Sequence, residues 1–273
     1  MTSGPDRRPV GLDAVDDAAL RSFASDHDGS ALGPVTVLVP AFREADHIES
    51  VIAAIPEAVL GLRVRTLVVV DGPDAPTRDA ARRAGAIVCA VPVNRGQGAV
   101  LRLGYELALV HGARYIVTID ADGQYDPAEI ATVLEPVVAG HADFVSGSRR
   151  LGANHQGDRV REAGVVVYAA LISWLTGTRV TDPSFGLRAM RADVPPHLTL
   201  DQPQYQAAEL LIGVIMRGYR VTERAATMRT RTGGRSHKGS NVEYAWRFGR
   251  VVVGTWWRER RGTRNATRSP HDA

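Results

Sequence analysis

Residues 115–124 read YIVTIDADGQ. Five uncharged residues, all β-branched or aromatic, end abruptly in two aspartates one residue apart. A run of this kind and length, bounded by turn residues, is a buried strand and too short for a helix. Asp120 and Asp122 then leave the strand in a tight turn with Gly123. Together with the Gln124 amide they offer hard oxygen donors for Mg²⁺ or Mn²⁺, cations that usually complete their shell with substrate phosphates. The same spacing also describes an Asx-rich turn leaving a strand. On spacing alone the two readings stand side by side.

The pattern repeats on both sides of this stretch. Short apolar runs at 35–40, 65–70, 86–91 and 143–148 alternate with helical stretches at 46–59, 77–84, 96–111 and 127–139. Alternation of this kind predicts an α/β fold, Rossmann-like, with a mostly parallel central sheet flanked by helices. Ligands of such sheets bind outside the carboxyl ends of the strands. Asp71, Asn94, Asp120 and Arg149 each follow a predicted strand, so they are expected on one rim. The helix at 96–111 carries an apolar stripe of Val100, Leu101, Leu103, Leu107 and Val110. It opens in NRGQG, whose backbone N–H groups are suited to a phosphate. Leu101 stands where a dinucleotide fingerprint needs its third glycine, and no Lys-Ser/Thr follows. An ordinary helix start is the simpler reading of that motif alone.

Past residue 150 the pattern changes. A markedly apolar helix is expected at 163–176, another helix at 205–217 and a strand at 219–230. A basic, glycine-rich loop (RTGGRSHKGS) fills 231–240. The helix expected at 241–261 carries Trp246, Phe248, Trp256 and Trp257 among arginines. Residues 1–33 are polar and read as a flexible lead, with a short helix near 13–24. The expected organisation is therefore a lead at 1–33, a body at 34–240, and an amphipathic helix with a basic tail at 241–273.

Composition narrows the class. The chain has 273 residues, 44% hydrophobic and 23% charged, which excludes a disordered or collagen-like chain. Its single cysteine, Cys89, excludes an internal disulfide and a four-thiolate zinc site, and inside an apolar run it reads as an inert core thiol. No run reaches transmembrane length and the first residues lack a signal core, so a cytoplasmic location is expected. Residues 1–216 carry a net charge of −7 and residues 217–273 one of +10. A basic end on an acidic body points to an anionic partner there. Nucleic acid is not expected: no recognition motif is present and the acidic body repels a polyanion. There is no GxSxG elbow, no HExxH, and no metal-ligand spacing among the eight histidines.

Eight segments in order carry a resemblance: VLVPAFREADHI, VVVDG, NRGQGAVLRLGYELA, DADGQYDPAEI, VSGSR, TDPSFGLRAMR, AAELLIGVIMRGYRV and RTGGRSHKG, spanning 35–260. In these the chain resembles the inverting family-2 glycosyltransferases of the GT-A fold, and within them the polyprenol (dolichol) phosphate mannosyltransferase-like branch. The resemblance implies metal-dependent transfer of a hexose from a GDP- or UDP-hexose to a polyprenyl phosphate, with Mg²⁺ or Mn²⁺ as cofactor. Pro40, Glu44 and Asp71 then fall where the family holds the nucleotide, and Asn94, Gly96 and Gly98 in the loop beside the donor. Asp120 and Asp122 match the acidic metal motif. Asp122 and Gln124 bind the metal directly, with Asp120 shared between metal and ribose. Arg149 matches an arginine gripping the acceptor phosphate, with Arg161 as a second. Asp182 and Glu209 match acidic residues near the sugar and acceptor. Arg231, Arg235 and Ser236 match a loop that closes over the donor diphosphate.

This chain departs from the family pattern at three places. Arg43 stands where Asn usually precedes Glu44. Gly72 replaces the second of two aspartates, with Asp74 two residues on. Gly164 and Val165 occupy the region of a serine that follows the acceptor arginine. Two alternatives therefore stay open: a soluble transferase acting on a hydroxyl of a small molecule or glycan, and a non-catalytic anion-binding relative. A hydroxyl acceptor needs a carboxylate base, for which Asp182 is the first candidate and Glu209 the second. Residues 251–253, Trp256 and Trp257, with Arg258, Arg260, Arg261 and Arg264, read as an interfacial segment for an anionic membrane surface, peripheral at the inner face of the cell membrane.

Overall fold

Strand β1 (Val35–Ala41) shows the rule that the sheet follows. Val35, Val37 and Val39 join an apolar cluster on one face, and Leu38 joins a second cluster on the other. A strand covered on both faces needs an apolar side chain at nearly every position. Thr36 is the exception, and its hydroxyl donates to the Leu32 carbonyl at 2.5 Å. Strand β3 (Leu62–Val70) divides in the same way, Leu67 and Val69 against Val68 and Val70.

The computed structural model describes residues 12–27, 31–230 and 241–266. The helices are α1 (Ala14–Asp26), α2 (Ile48–Ala54), α3 (Ala75–Arg83), α4 (Gln97–Val110), α5 (Ile130–Val138), α6 (Arg159–Thr176), α7 (Gln206–Met216) and α8 (Asn241–Ala266). The remaining strands are β2 (Ala58–Val59), β4 (Ile87–Ala90), β5 (Tyr115–Thr118), β6 (Phe144–Asn154), β7 (Arg188–Arg191) and β8 (Val221–Met228). They form one sheet in the order β2-β3-β1-β5-β7-β6-β8, with β4 also paired to β3. Helices α2, α3 and α5 cover one face; α1, α4, α6, α7 and α8 cover the other. Among the described residues no helix is long and apolar enough to cross a membrane.

The pairs β1·β3, β3·β4, β1·β5 and β6·β8 are parallel, as expected. Strand β7 is unexpected. It lies antiparallel between β5 and β6, placing Arg188 opposite both Thr118 and Ser146. The start of β7 therefore meets the rim where the parallel strands end.

Several expected elements change length for local reasons. The helix expected at 46–59 stops at Ala54, because Ile55 precedes a proline and is extended, with ψ 124°. Ala58–Val59 then pairs with β3. Pro127 opens a 3₁₀ turn capped by Asp126 before α5 begins. Strand β6 runs on to Asn154 beyond the expected 148, with its register against β8 shifted between Ser148 and Ala153.

Both ends of the described chain pack on the body. The lead expected to be flexible contains α1, which is closed by a capping box at Asp13. Its Phe23 is buried between the rings of His27 and His111. On α8, Phe248, Val251, Val252, Thr255 and Glu259 recur at helical spacing and are buried. Phe248 and Val252 belong to the same apolar cluster as α4 and α7. The Trp256 indole donates to the Leu175 carbonyl of α6 at 2.8 Å.

Candidate active site

Three loops leaving strand ends meet at the rim, and each is tied by a carboxylate. After β3, the buried Asp71 accepts the N–H groups of Arg95 and Gly96, both at 2.8 Å. Arg95 turns away from the rim to a buried ion pair with Asp16 at 2.5 Å and a second with Asp13 at 2.8 Å, so α1 anchors the loop before α4. Gly72, which stands where the family pattern has a second aspartate, has φ +87°, and a Cβ there would lie 3.0 Å from the Asn94 nitrogen. This backbone takes glycine and leaves no room for a second carboxylate. Asp74 instead caps α3 through the Thr77 N–H and accepts the Arg43 N–H at 2.5 Å. Glu44 is half-buried beside it and its N–H donates to Thr77. Pro40 lies within β1.

The glycine-rich start of α4 is not the open phosphate cradle that its N–H groups suggested. Gly98 N–H donates to the Pro203 carbonyl at 2.9 Å, and a Cβ at Gly98 would meet the Gln202 carbonyl oxygen at 1.8 Å. Gly96 N–H belongs to Asp71. The glycines admit the 201–203 loop, and the exposed Asn94 and Gln97 side chains remain at the surface.

After β5, Asp120 and Asp122 are half-buried. Gln97 Nε2 donates to Asp120 Oδ1 at 2.9 Å, joining α4 to the aspartate pair. Asp122 Oδ1 accepts the Gln124 N–H at 3.1 Å, so the Asx turn is formed. The Gln124 amide reaches the Arg229 carbonyl at 3.5 Å. Among the described residues no group of three His, Cys, Asp or Glu is placed to hold a metal. Two carboxylates and an amide oxygen on one turn nevertheless suit Mg²⁺ or Mn²⁺, which bind one or two protein carboxylates and take their other ligands from phosphate and water.

After β6, Arg149 and Asp182 are each other's partners. Arg149 Nε lies 2.6 Å from Asp182 Oδ2 and Nη2 3.2 Å from Oδ1. The Arg149 N–H and the N–H and hydroxyl of Ser184 fill the remaining positions on the same carboxylate. Asp182 is fully buried and Arg149 nearly so. Among the described residues Nη1 of Arg149 takes no hydrogen bond. Glu223, whose carboxyl burial pushes upward, accepts the Thr181 N–H and hydroxyl and the Asp182 N–H, fixing this loop from β8.

Glu209 is not at the surface. It is fully buried on α7, with Oε1 accepting Asp201 N–H and Arg258 Nη2 and Oε2 accepting Gln202 N–H, each at 3.0 Å. Arg161 stands in the first turn of α6, half-exposed and 3.3 Å from Asp158. Arg231, Arg235 and Ser236 lie outside the described residues. Four further residues of the site were not read from the sequence: Gln97, Tyr125, Arg188 and Glu223. Tyr125 accepts the Gly186 N–H at 2.9 Å, and burial raises its phenol far above the usual range. Neither Arg188, in a four-residue strand with a second arginine, nor Glu223, beside Arg224, stood out in the sequence.

The model of Glycosyl transferase family 2 matches residues 36–194. The chain belongs to that family. It is a glycosyltransferase. It is 31% identical over 199 residues to a dolichyl-phosphate hexose transferase of Haloferax volcanii, covering 73% of this chain and 84% of that protein. An undecaprenyl-phosphate mannosyltransferase of Micrococcus luteus is 28% identical over 131 residues, or 47% of this chain and 53% of that one. Among solved structures, the glycosyltransferase superposes with TM-score 0.62 on glucosyl-3-phosphoglycerate synthase from Mycobacterium tuberculosis in complex with Mn²⁺, UDP and glucosyl-3-phosphoglycerate. That match is 22% identical and covers 95% of this chain and 86% of the other. At that identity it shows the shared GT-A fold.

Proposed function

We propose that this glycosyltransferase moves a hexose from a nucleoside-diphosphate sugar to a polyprenyl phosphate at a membrane surface. One observation carries the choice of acceptor. A hydroxyl acceptor must lose a proton to a base in the transition state. Both candidate bases, Asp182 and Glu209, are fully buried, with both oxygens of each already accepting hydrogen bonds. A phosphate monoester has a second pKa of about 6 and is ionised at neutral pH, so it attacks without a base. The relatives that act on dolichyl and undecaprenyl phosphates support the same choice.

In this reading Asp120, Asp122 and Gln124 hold Mg²⁺ or Mn²⁺ beside the donor diphosphate. The bound metal neutralises the charge that develops on the leaving diphosphate. Gln97 keeps Asp120 oriented. An acceptor phosphate oxygen attacks the anomeric carbon from the side opposite the diphosphate. The bond to the donor phosphate breaks, the new bond to the acceptor oxygen forms with inversion, and the nucleoside diphosphate leaves. The unused Nη1 of Arg149 and the half-exposed Arg161 are the candidate cations for the acceptor.

Membrane association is supported by two exposed faces. Val160, Ala163, Val167, Ala170 and Trp174 form an exposed apolar stripe at helical spacing on α6. On α8, Trp246, Val253 and Trp257 are exposed, with Arg250 stacked over Trp246 and Arg261 over Trp257. Aromatic rings with arginines beside them suit the headgroup zone of an anionic bilayer.

The test has two parts. Thermal shifts with UDP, GDP, dTDP, CDP and ADP, each with and without Mn²⁺, identify the donor nucleotide, because a ligand that binds only the native state raises its stability. Labelled UDP-glucose and GDP-mannose are then offered with undecaprenyl phosphate in detergent, or with glycerol and glucose as hydroxyl acceptors. The expected product is organic-extractable and acid-labile. Label found only on the hydroxyl acceptors overturns the assignment.

A further inference from the structure

Arg188 is 4% exposed, yet among the described residues its side chain takes part in no hydrogen bond or ion pair, and its nitrogens keep a narrow contact with solvent at the rim. A buried arginine brings five N–H donors with it, and leaving such donors without acceptors is costly. Along β7 the side chains alternate. Ala189 joins the cluster on the α5 face and Met190 the cluster on the α4 and α7 face. Arg188 therefore stands on the α4 and α7 side, at the first residue of the strand and at the rim. The groups whose charge reaches it are the Tyr105 and Tyr125 phenols, Asp120 and Asp182.

A second orphan donor lies on the same side. Gln206, the first residue of α7, is 2% exposed, and its Nε2 has no partner. Its Oε1 faces the Tyr105 hydroxyl at 3.5 Å, and Tyr105 is also the first of the groups that Arg188 feels. The Gln206 amide and the Arg188 guanidinium, neither of them engaged as a donor, thus share Tyr105 as a neighbour. The carboxylates that act most on Arg188 are Asp120 and Asp182. The missing partner is a ligand rich in hydrogen-bond acceptors, lying between Asp120 and Asp182.

We propose that Arg188, with Gln206 beside it, binds the transferred hexose, donating to its ring hydroxyl oxygens, and so selects the sugar rather than the nucleotide. This rests on the reading that the donor is a nucleoside-diphosphate sugar. The planar fork of arginine fits a pair of sugar hydroxyls, whereas a lysine in its place keeps the positive charge for Asp120 and Asp182 and loses the fork.

The experiment compares dissociation constants of UDP with UDP-glucose, and of GDP with GDP-mannose, all with Mn²⁺, for the wild-type chain and Arg188→Lys. In the pair that the wild type binds, the nucleotide constant is expected to stay within about twofold. The nucleotide-sugar constant is expected to weaken roughly tenfold or more, the size of losing hydrogen bonds to a charged group. A ratio of the two constants unchanged from wild type overturns the proposal. Equal weakening of both also overturns it, because Arg188 then serves the diphosphate or the fold. If Arg188→Lys does not fold, Gln206→Met, which removes the second orphan donor, must raise the same ratio. Failure of the wild type to bind any of the four compounds sinks the donor reading itself, and this proposal with it.

Discussion

Glu209 holds two backbone N–H groups of the 201–202 loop and the guanidinium of Arg258 at once. That loop supplies the Pro203 carbonyl that bonds Gly98, so one buried carboxylate on α7 sets the position of the α4 start. Glu209→Ala leaves two part-buried loop amides without an acceptor and takes one carboxylate from Arg258, which keeps the Thr199 carbonyl, Asp201 and Glu259. The expected loss is about 3 kcal/mol, read as a lower urea midpoint at unchanged slope. Asp143 makes a different prediction. Its carboxylate accepts the Arg220 side chain at 2.8 and 3.0 Å and the Arg220 N–H at 2.9 Å, which pulls its pKa from the ordinary 3.8 down to about 2. A carboxyl depressed in the folded state stabilises above its unfolded pKa, and that stability is lost as pH falls through the folded value. Stability is therefore expected to decline between pH 3.8 and about 2. Asp143→Asn should flatten this part of an acid titration followed by circular dichroism. An equally steep decline in the variant would assign it to other carboxylates.

At the level of elements, α8 is a clamp across α6 and α7. Phe248, Val251 and Val252 are buried against them, Arg217 pairs with Glu259 at 3.1 Å, and Arg258 reaches the Thr199 carbonyl at 2.6 Å. Each buried apolar side chain of this size contributes roughly 1.5–3 kcal/mol. Three together approach the whole stability of an ordinary domain. A chain ending at residue 240 is expected to lose cooperative unfolding and to expose hydrophobic surface to a dye such as ANS. A truncated chain that melts cooperatively near the full-length temperature would show α8 to be dispensable. The antiparallel β7 works at the same scale. By reversing direction between β5 and β6 it brings the start of a strand, and with it Arg188, to a rim otherwise built from strand ends.

For the whole molecule, charge and apolar surface act together. The +10 of residues 217–273 stands against −7 in the rest, and the exposed tryptophans belong to α6 and α8, helices on the same face of the sheet. Vesicles containing phosphatidylglycerol are expected to co-sediment the chain at low salt, with binding that weakens as the Debye length shrinks. Trp174→Ala with Trp257→Ala should lower the salt-resistant fraction while leaving the salt-sensitive one. Equal binding to purely zwitterionic vesicles would remove the electrostatic half of the argument.

The sequence by itself determined the α/β alternation, because side-chain period and strand length are local properties, and it determined the aspartate turn after β5, because both carboxylates sit within three residues of one chain segment. It also put Arg149 at a strand end, while Asp182 and Glu209 were marked only by the family resemblance. Only the tertiary structure decided what those charges do. Arg149 and Asp182 are thirty-three residues apart and become one buried pair. Glu209 closes on a loop and on α8. Gly96 and Gly98 answer to residues 202–203 rather than to an open phosphate cradle. Strand β7 escaped notice because four residues, two of them arginine, have too little period to read, and its place is set by the neighbours that pair with it. A partner distant in sequence leaves no mark in the local pattern, so a charged residue can be singled out from the chain while its burial and its partner are found only once the chain has folded.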